Sequence, residues 1–259
     1  MCVDRCARVS AVVFVTLVSA GCLHGPPDVL YQYSTIDALK QGVYDGYLTV
    51  GELKKQGDHG LGTFNALDGE MVVVDGSVYR VDFDGTVVNM PDSELVPFAA
   101  VNFFLADSTC NVDEGLDYAG FRDALDEQLG SLNLFYAIRV EAELPYIKVR
   151  SVPRQERPYP SLTDVIPGRQ SEFELVKVSG TLVGYRCPVY ARYMNATGYH
   201  LHFLTDDRTA GGHVLDFELG AHTVFVDRLD TCRIRVPAQG DFLEFDSEAS
   251  DTGPKHKQL

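Results

Sequence analysis

The sequence predicts an α+β (mixed α/β) fold of two domains, each built on a mostly antiparallel or mixed β-sheet with flanking helices. Apolar runs separated by Asp-Gly turns between residues 71 and 88 are typical of a tight β-meander. Residues 116–129 repeat apolar positions every four residues, which predicts an amphipathic helix lying on a sheet. A proline-rich connector at 153–167 places a domain boundary near residue 160.

The N-terminal domain is expected to span residues 28–160 and to begin with two short helices. Ser34 and Thr49 each precede a carboxylate by three residues, which is the pattern of a helix N-terminal cap. Gly42 and Gly57 follow at positions where a helix commonly ends.

The same domain contains three further predicted strands. The nearly continuous apolar run 98–105 is typical of a buried central strand. Residues 134–140 and 146–150 alternate in polarity, and we expect a break between them near Pro145 because proline cannot donate to a sheet ladder.

The C-terminal domain is expected to span residues 161–245, followed by a loose tail at 246–259. Its predicted strands cover residues 173–183, 199–204, 214–219 and 223–226. Cys187 and Cys232 are candidates for a disulfide in an oxidising compartment, with buried free thiols as the alternative.

The first residues are typical of an export signal. Arg5 and Arg8 precede the apolar run 11–18, and small residues then lead to Cys22. This order predicts a signal peptide over residues 1–21. The small residues before Cys22 resemble a bacterial lipoprotein signal, in which Cys22 would be the lipidated first mature residue. An uncleaved N-terminal anchor is the alternative, and both readings place the protein outside the cytoplasm, in the periplasm, in the medium or at the cell envelope.

Composition excludes some functions. The chain of 259 residues is 45% hydrophobic, which is enough for one large or two modest cores. Its net charge is −15, and it has no run rich in lysine and arginine, so nucleic acid is not an expected partner. The only membrane contact that the sequence suggests is a lipid anchor at the N-terminus.

Three histidines form the strongest chemical signal in the sequence. His200 and His202 lie two residues apart in a predicted strand, so their side chains share one face. A hairpin loop centred on residues 207–208 would set His213 opposite His202. Three imidazoles with an open fourth position are typical of catalytic zinc.

Spacing alone leaves other readings of these histidines open. Imidazole ligands also suit iron, nickel, manganese and copper, and similar histidine spacing occurs in cupin barrels. Histidines in strands are also often ordinary half-buried residues.

Longer motifs resemble the α-acetolactate decarboxylases. The resemblance covers nearly all of the chain from about residue 31 to residue 242, with both halves in the same order as in the family. It is carried by the segments Tyr33–Leu39, Gly42–Gly46, Gly57–Glu70, Tyr199–Phe203 and Gly211–His213.

The resemblance implies a fold, a site and a reaction. Family members have two domains with mixed sheets and are usually homodimers. A single zinc ion would be held by residues matching His200, His202 and His213, without an organic cofactor. The reaction would be decarboxylation of 2-acetolactate to acetoin and CO2 through a metal-stabilised enediolate.

The other family positions match Thr63, Glu70 and Arg150. The planar guanidinium of Arg150 suits a substrate carboxylate, and Glu70 is a candidate acid or base. The family also has a glutamate near its C-terminus, for which Glu248 is the nearest candidate. The sequence leaves two other functions open, namely a non-catalytic metal-binding or cupin-like module and a zinc hydrolase.

Overall fold

The computed structural model describes residues 28–248. The predicted signal peptide, Cys22 and most of the predicted tail lie outside these residues. Within the described part of the chain, no helix is both long and apolar enough to cross a membrane.

The described chain is strand-rich, as predicted for an α+β fold. Its helices are short: α1 (Ile36–Lys40), α2 (Val50–Leu53), α3 (Tyr118–Gln128) and α4 (Leu162–Arg169), with 3₁₀ turns at Val189–Ala191 and Gly240–Leu243. Its strands are β1 (Val29–Tyr33), β2 (Leu48–Thr49), β3 (His59–Thr63), β4 (Glu70–Val74), β5 (Ser77–Val81), β6 (Val87–Asn89), β7 (Leu95–Val96), β8 (Phe98–Asn102), β9 (Ser108–Val112), β10 (Leu116–Asp117), β11 (Phe135–Ser151), β12 (Ser171–Cys187), β13 (Gly198–Thr205), β14 (Gly211–Leu219), β15 (His222–Leu229) and β16 (Thr231–Arg235).

The first large sheet has seven strands in the order β16-β1-β8-β3-β4-β5-β6. It is mixed, because β1 pairs antiparallel with β8 and parallel with β16. The predicted meander forms β4, β5 and β6, and every residue of β8 is buried. A central strand covered on both faces explains the continuous apolar run of β8.

The second large sheet also has seven strands, in the order β10-β14-β13-β12-β11-β15-β9. Strand β14 pairs with β11 as well as with β13, so β11, β12, β13 and β14 close into a ring of four strands. One edge of β11 pairs with β12 along almost its full length, while β15 and β14 share the other edge.

The chain does not pass from the first sheet to the second at residue 160, where the sequence predicts a domain boundary. Strand β11 lies in the predicted range 28–160 but belongs to the second sheet, and β16 lies in the predicted range 161–245 but belongs to the first. The physical reason is that strand pairing is decided by partners distant in sequence, such as the parallel pair of β16 and β1. Local composition does not report such pairings.

The predicted break near Pro145 is wrong, since β11 runs without interruption through this residue. On the edge away from β12, pairing with β15 ends at Arg139 and pairing with β14 begins at Tyr146. Pro145 therefore lies in a gap between partners on that edge, where a strand tolerates a residue without an N–H.

The predicted helices form, and one of the two predicted N-terminal caps is confirmed. Thr49 and Glu52 make a reciprocal capping box at α2, while Thr35 rather than Ser34 caps α1. Asp117 caps α3, whose buried residues Phe121 and Leu125 pack on the second sheet.

A buried polar network joins the two sheets. The Asn102 side chain of β8 donates to Asp227 Oδ2 of β15 over 2.8 Å and accepts from the Tyr185 hydroxyl over 2.8 Å. Burial raises the pKa of Asp227 to about 6. Close by, Cys187 and Cys232 pack in one apolar cluster as free thiols, so the candidate disulfide is not formed in this structure.

Candidate metal centre

Three histidine side chains converge where β13 and β14 form a hairpin. His200 and His202 lie on one face of β13, and the register sets His202 opposite His213 of β14, as the sequence predicts. The ring centroids of His200 and His202 are 5.1 Å apart, those of His200 and His213 are 5.0 Å apart, and those of His202 and His213 are 5.2 Å apart. One nitrogen of each ring lies within 4.8 Å of the other two.

The ring of His202 is held in a defined tautomer. Its Nδ1 lies 2.7 Å from the backbone oxygen of Met71, which can only accept, so Nδ1 carries the proton. The lone pair of His202 Nε2 is then free, and this atom lies 3.2 Å from Nδ1 of His213. A backbone carbonyl behind a histidine is a common support for a metal ligand, because it orients the ring and makes it more basic.

All three imidazoles are neutral at pH 7. Burial, reinforced by the positive charge of Arg150, lowers the pKa of His200 to about 4. Burial also lowers the pKa values of His202 and His213 well below the ordinary value of histidine. A neutral ring has a free lone pair, which is the form that binds a metal ion.

Glu70 and Thr63 face the histidines from the first sheet. They are directly opposite each other on β4 and β3, and Glu70 Oε2 lies 3.5 Å from Nε2 of His202. Burial raises the pKa of Glu70 to about 7, although the charge of Arg150 opposes part of this rise. The Thr63 hydroxyl donates to the backbone oxygen of Gly69 over 2.7 Å, which leaves its lone pairs able to accept a hydrogen bond.

Arg150 enters the site from β11, directly opposite His213. A β-carbon at Gly212 would overlap the backbone oxygen of Arg150, so glycine lets β14 approach β11 closely here. The guanidinium donates from Nη1 to Gln170 Oε1 over 3.1 Å. Its Nε is buried and has no hydrogen-bond partner among the described residues.

A cavity of about 280 Å³ brings all six predicted site residues together. Its walls also carry apolar side chains from α1, from α4 and from β8 of the first sheet. The apolar lining is formed by Ile36, Leu39, Leu67, Phe98, Val152 and Leu162. The size and the mixed lining are those of a site for a small molecule with few polar groups.

The three histidines fit a metal ion. Two ligands of a tetrahedral zinc ion at 2.0–2.1 Å are separated by roughly 3.3 Å, and His202 Nε2 and His213 Nδ1 are 3.2 Å apart. The buried Nδ1 of His200 has no partner within residues 28–248, and a metal ion would satisfy it. Three imidazoles without a cysteine are typical of catalytic rather than structural zinc.

Glu248 does not join this group. Its side chain is exposed, its backbone N–H donates to Asp246 Oδ1 over 2.9 Å, and it does not line the cavity.

The sequence prediction omits three groups of the site, which are the Met71 carbonyl, Gln170 and the apolar wall from α1 and α4. The approach of α1 to α4 forms the apolar wall, and the approach of β4 to β13 brings the Met71 carbonyl to His202. The apolar spacing of α1 was visible in the sequence, but no sequence signal marked Gln170.

Comparisons with known proteins place this chain in one family. The family model described as alpha-acetolactate decarboxylase matches residues 30–248. The chain is 48% identical over 215 residues to the alpha-acetolactate decarboxylase of Methanosarcina mazei, covering 83% of this chain and 74% of that protein. It is 36% identical over 237 residues to that of Bacillus subtilis, covering 92% of each. A crystal structure of alpha-acetolactate decarboxylase from Bacillus subtilis superposes with a TM-score of 0.83 at 37% identity, over 86% of this chain and 95% of that chain.

The fold and the site define an enzyme with a three-histidine centre of the kind that binds a metal ion. Its small cavity, lined by a buried carboxyl group and a guanidinium, is suited to acid–base work on a small anion. The chain belongs to the α-acetolactate decarboxylase family. The predicted family, the α+β class and the assignment to the carboxy-lyases are thereby confirmed.

Proposed function

We propose that this protein uses zinc to decarboxylate 2-acetolactate to acetoin and CO2. The observation that carries the proposal is the single cavity in which three neutral imidazoles meet Arg150 and Glu70. The relatives named above are alpha-acetolactate decarboxylases, which supports this substrate. The cavity of about 280 Å³ is adequate for a five-carbon keto acid.

The chemistry of the substrate explains why such a centre is needed. In 2-acetolactate the ketone lies β to the carboxylate, so loss of CO2 leaves an electron pair that must move onto the ketone oxygen. A zinc ion held by His200, His202 and His213 would act as a Lewis acid at that oxygen. Overall, the anion and one proton become acetoin and CO2.

Arg150 binds and orients the carboxylate in this proposal. Its Nε is buried without a partner among the described residues, while Nη1 is anchored to Gln170. A guanidinium with one donor anchored and another free can hold an anion in a defined orientation. A charge-assisted hydrogen bond of this kind contributes about 1.5–3 kcal/mol.

Glu70 supplies the proton that the product requires. The carbon that loses CO2 must be reprotonated, and a carboxyl group with a pKa near 7 can hold a proton at neutral pH and release it. Its position 3.5 Å from His202 places the acid beside the histidine cluster. Thr63, opposite Glu70, accepts a hydrogen bond from a substrate hydroxyl in this arrangement.

The apolar wall limits the water around the reacting atoms. Side chains such as Leu39, Leu162 and Phe98 line the same cavity as the polar groups. A low-polarity surrounding strengthens the electrostatic contacts of the site, and it favours a carboxylate that leaves as neutral CO2.

The decisive experiment combines elemental analysis with product analysis of the purified protein. We expect one zinc per chain, and stoichiometric acetoin and CO2 from 2-acetolactate. Zinc without CO2 release would favour a non-catalytic metal module, and ester cleavage without CO2 would favour a zinc hydrolase. Activity only with another divalent metal would correct the metal and retain the reaction.

Export is a separate proposal. It rests on the basic and apolar order of residues 1–21 before Cys22. Mass spectrometry of the protein from its native host should find a mature N-terminus at Cys22, with or without lipid. An intact Met1 terminus in the soluble cytosol would contradict export.

We also propose that the protein is a homodimer, because the family resemblance implies one. Light scattering after gel filtration should give twice the mass of the processed chain. A monomer at micromolar concentration would contradict this proposal.

A further inference from the structure

We propose that Gln170 is a positioning residue that keeps the charge of Arg150 from being neutralised by Glu172. This inference deepens the proposed function, since it concerns how the anion-binding guanidinium of that site stays available. It rests on four side chains that form a continuous hydrogen-bonded chain, Lys148, Glu172, Gln170 and Arg150.

The strand register creates the problem that Gln170 solves. Arg150 of β11 is directly opposite Glu172 of β12. Opposite charges at directly paired positions of an antiparallel sheet normally attract each other and form a cross-strand ion pair. Yet Arg150 forms no ion pair within residues 28–248, in contrast to Arg139 and Arg186, which each contact a carboxylate.

Glu172 is engaged elsewhere through both of its oxygens. Its Oε2 lies 2.6 Å from Nζ of Lys148, and its Oε1 accepts from Nε2 of Gln170 over 2.6 Å. These hydrogen bonds, first that of Lys148 and then that of Gln170, lower the pKa of Glu172. Glu172 is therefore an anion that can only accept hydrogen bonds.

The orientation of the Gln170 amide follows from its two neighbours. A guanidinium can only donate and a carboxylate can only accept, so Oε1 of Gln170 faces Arg150 and Nε2 faces Glu172. The amide joins the two charged groups while keeping them apart. Because its oxygen is neutral, it anchors the guanidinium without cancelling its charge.

The location of Gln170 agrees with this role. It follows directly after α4, whose Leu162 lines the cavity, and it is half-buried. The Nε of Arg150 stays buried and unpartnered among the described residues, so one donor of the same guanidinium is left for a substrate oxygen.

Replacing Gln170 with leucine tests the inference in the zinc-loaded full chain. Without the amide, Arg150 is free to pair with Glu172. KM for 2-acetolactate should then rise about tenfold or more while kcat changes less, because one charge-assisted hydrogen bond to the bound anion is lost. Adding Glu172→Gln should return KM to within about threefold of wild type, because no carboxylate is left to capture Arg150. Gln239→Leu, at an exposed glutamine with no side-chain cap contact, is the matched control and should leave KM unchanged.

A KM of Gln170→Leu within threefold of wild type would overturn the inference, as would a rise that Glu172→Gln does not reverse. If the leucine variant does not fold, Gln170→Glu replaces it. The introduced carboxylate still accepts a hydrogen bond from Arg150, but its negative charge neutralises the guanidinium, so KM should rise about tenfold. An unchanged KM would overturn the inference.

If the wild type produces no acetoin, the proposed function fails, and crystal structures of the wild type and Gln170→Leu decide the inference alone. A guanidinium of Arg150 that moves into contact with Glu172 in the variant supports it, and one that stays in place overturns it.

Discussion

Replacement of Arg150 by lysine tests the proposed reaction most directly, because it keeps the charge and removes the fork of donors. In the structure the guanidinium uses Nη1 to donate to Gln170 and keeps Nε free. A single ammonium on a flexible stem cannot serve both positions. The variant should therefore lose one charge-assisted hydrogen bond, which contributes about 1.5–3 kcal/mol and corresponds to a fall in kcat/KM of roughly 10- to 150-fold.

The assay is steady-state formation of acetoin from 2-acetolactate, at matched zinc content and with the fold checked by circular dichroism. Arg154→Lys is the control, since this arginine is exposed, contacts Asp68 over 3.2 Å and does not line the cavity. It should retain full activity. If Arg150→Lys stays within about threefold of wild type, a difference under roughly 1 kcal/mol, Arg150 has no part in the mechanism.

Three further results are expected. His202→Ala should lower zinc affinity at least about 100-fold, measured by elemental analysis after dialysis, and stoichiometric zinc in this variant would disprove the ligand set. The control His222→Ala, outside the cluster, should keep its zinc. Glu70→Gln, which keeps the shape but cannot release a carboxyl proton, should bind zinc and lose about 100-fold or more in kcat, and a loss below threefold would exclude Glu70 as the acid. The raised pKa of Asp227, about 6 against an ordinary 3.8, means that the folded state holds this proton more tightly than the unfolded state, so wild-type stability from this group falls as pH rises from about 4 to about 6. In urea unfolding, the free energy of unfolding of Asp227→Asn should therefore rise by roughly 1–3 kcal/mol relative to that of wild type as the pH goes from about 4 to about 7.5. An equal difference between the two proteins at both pH values would contradict this expectation.

Several features of the fold were readable from local sequence. The side-chain parity of His200 and His202 follows from the two-residue period of a strand, and the short polar loop after β13 set the partner of His202. The Thr49 and Glu52 capping box and the period of α3 were equally local. Each of these signals depends on residues close together in the chain, so periodicity and turn chemistry are sufficient to predict them.

The division of strands between the sheets was not readable in this way. The proline-rich connector near residue 160 is a real change of composition, but β11 before it pairs with β12 after it along almost its whole length. The continuity of β11 through Pro145 likewise depends on where two other strands end and begin on its edge. Such facts are properties of distant partners, and a local pattern does not contain them.

The members of the candidate site could be named from the sequence, the three histidines from spacing and Thr63, Glu70 and Arg150 from the family motifs. The tertiary structure alone decided what surrounds them. It placed the Met71 carbonyl behind His202, buried Glu70 enough to raise its pKa to about 7, and inserted the Gln170 amide next to Arg150. The first two effects arise because the two sheets pack together and bury the site. Gln170 reaches Arg150 for a different reason, since it directly precedes β12, which pairs with β11 in the same sheet.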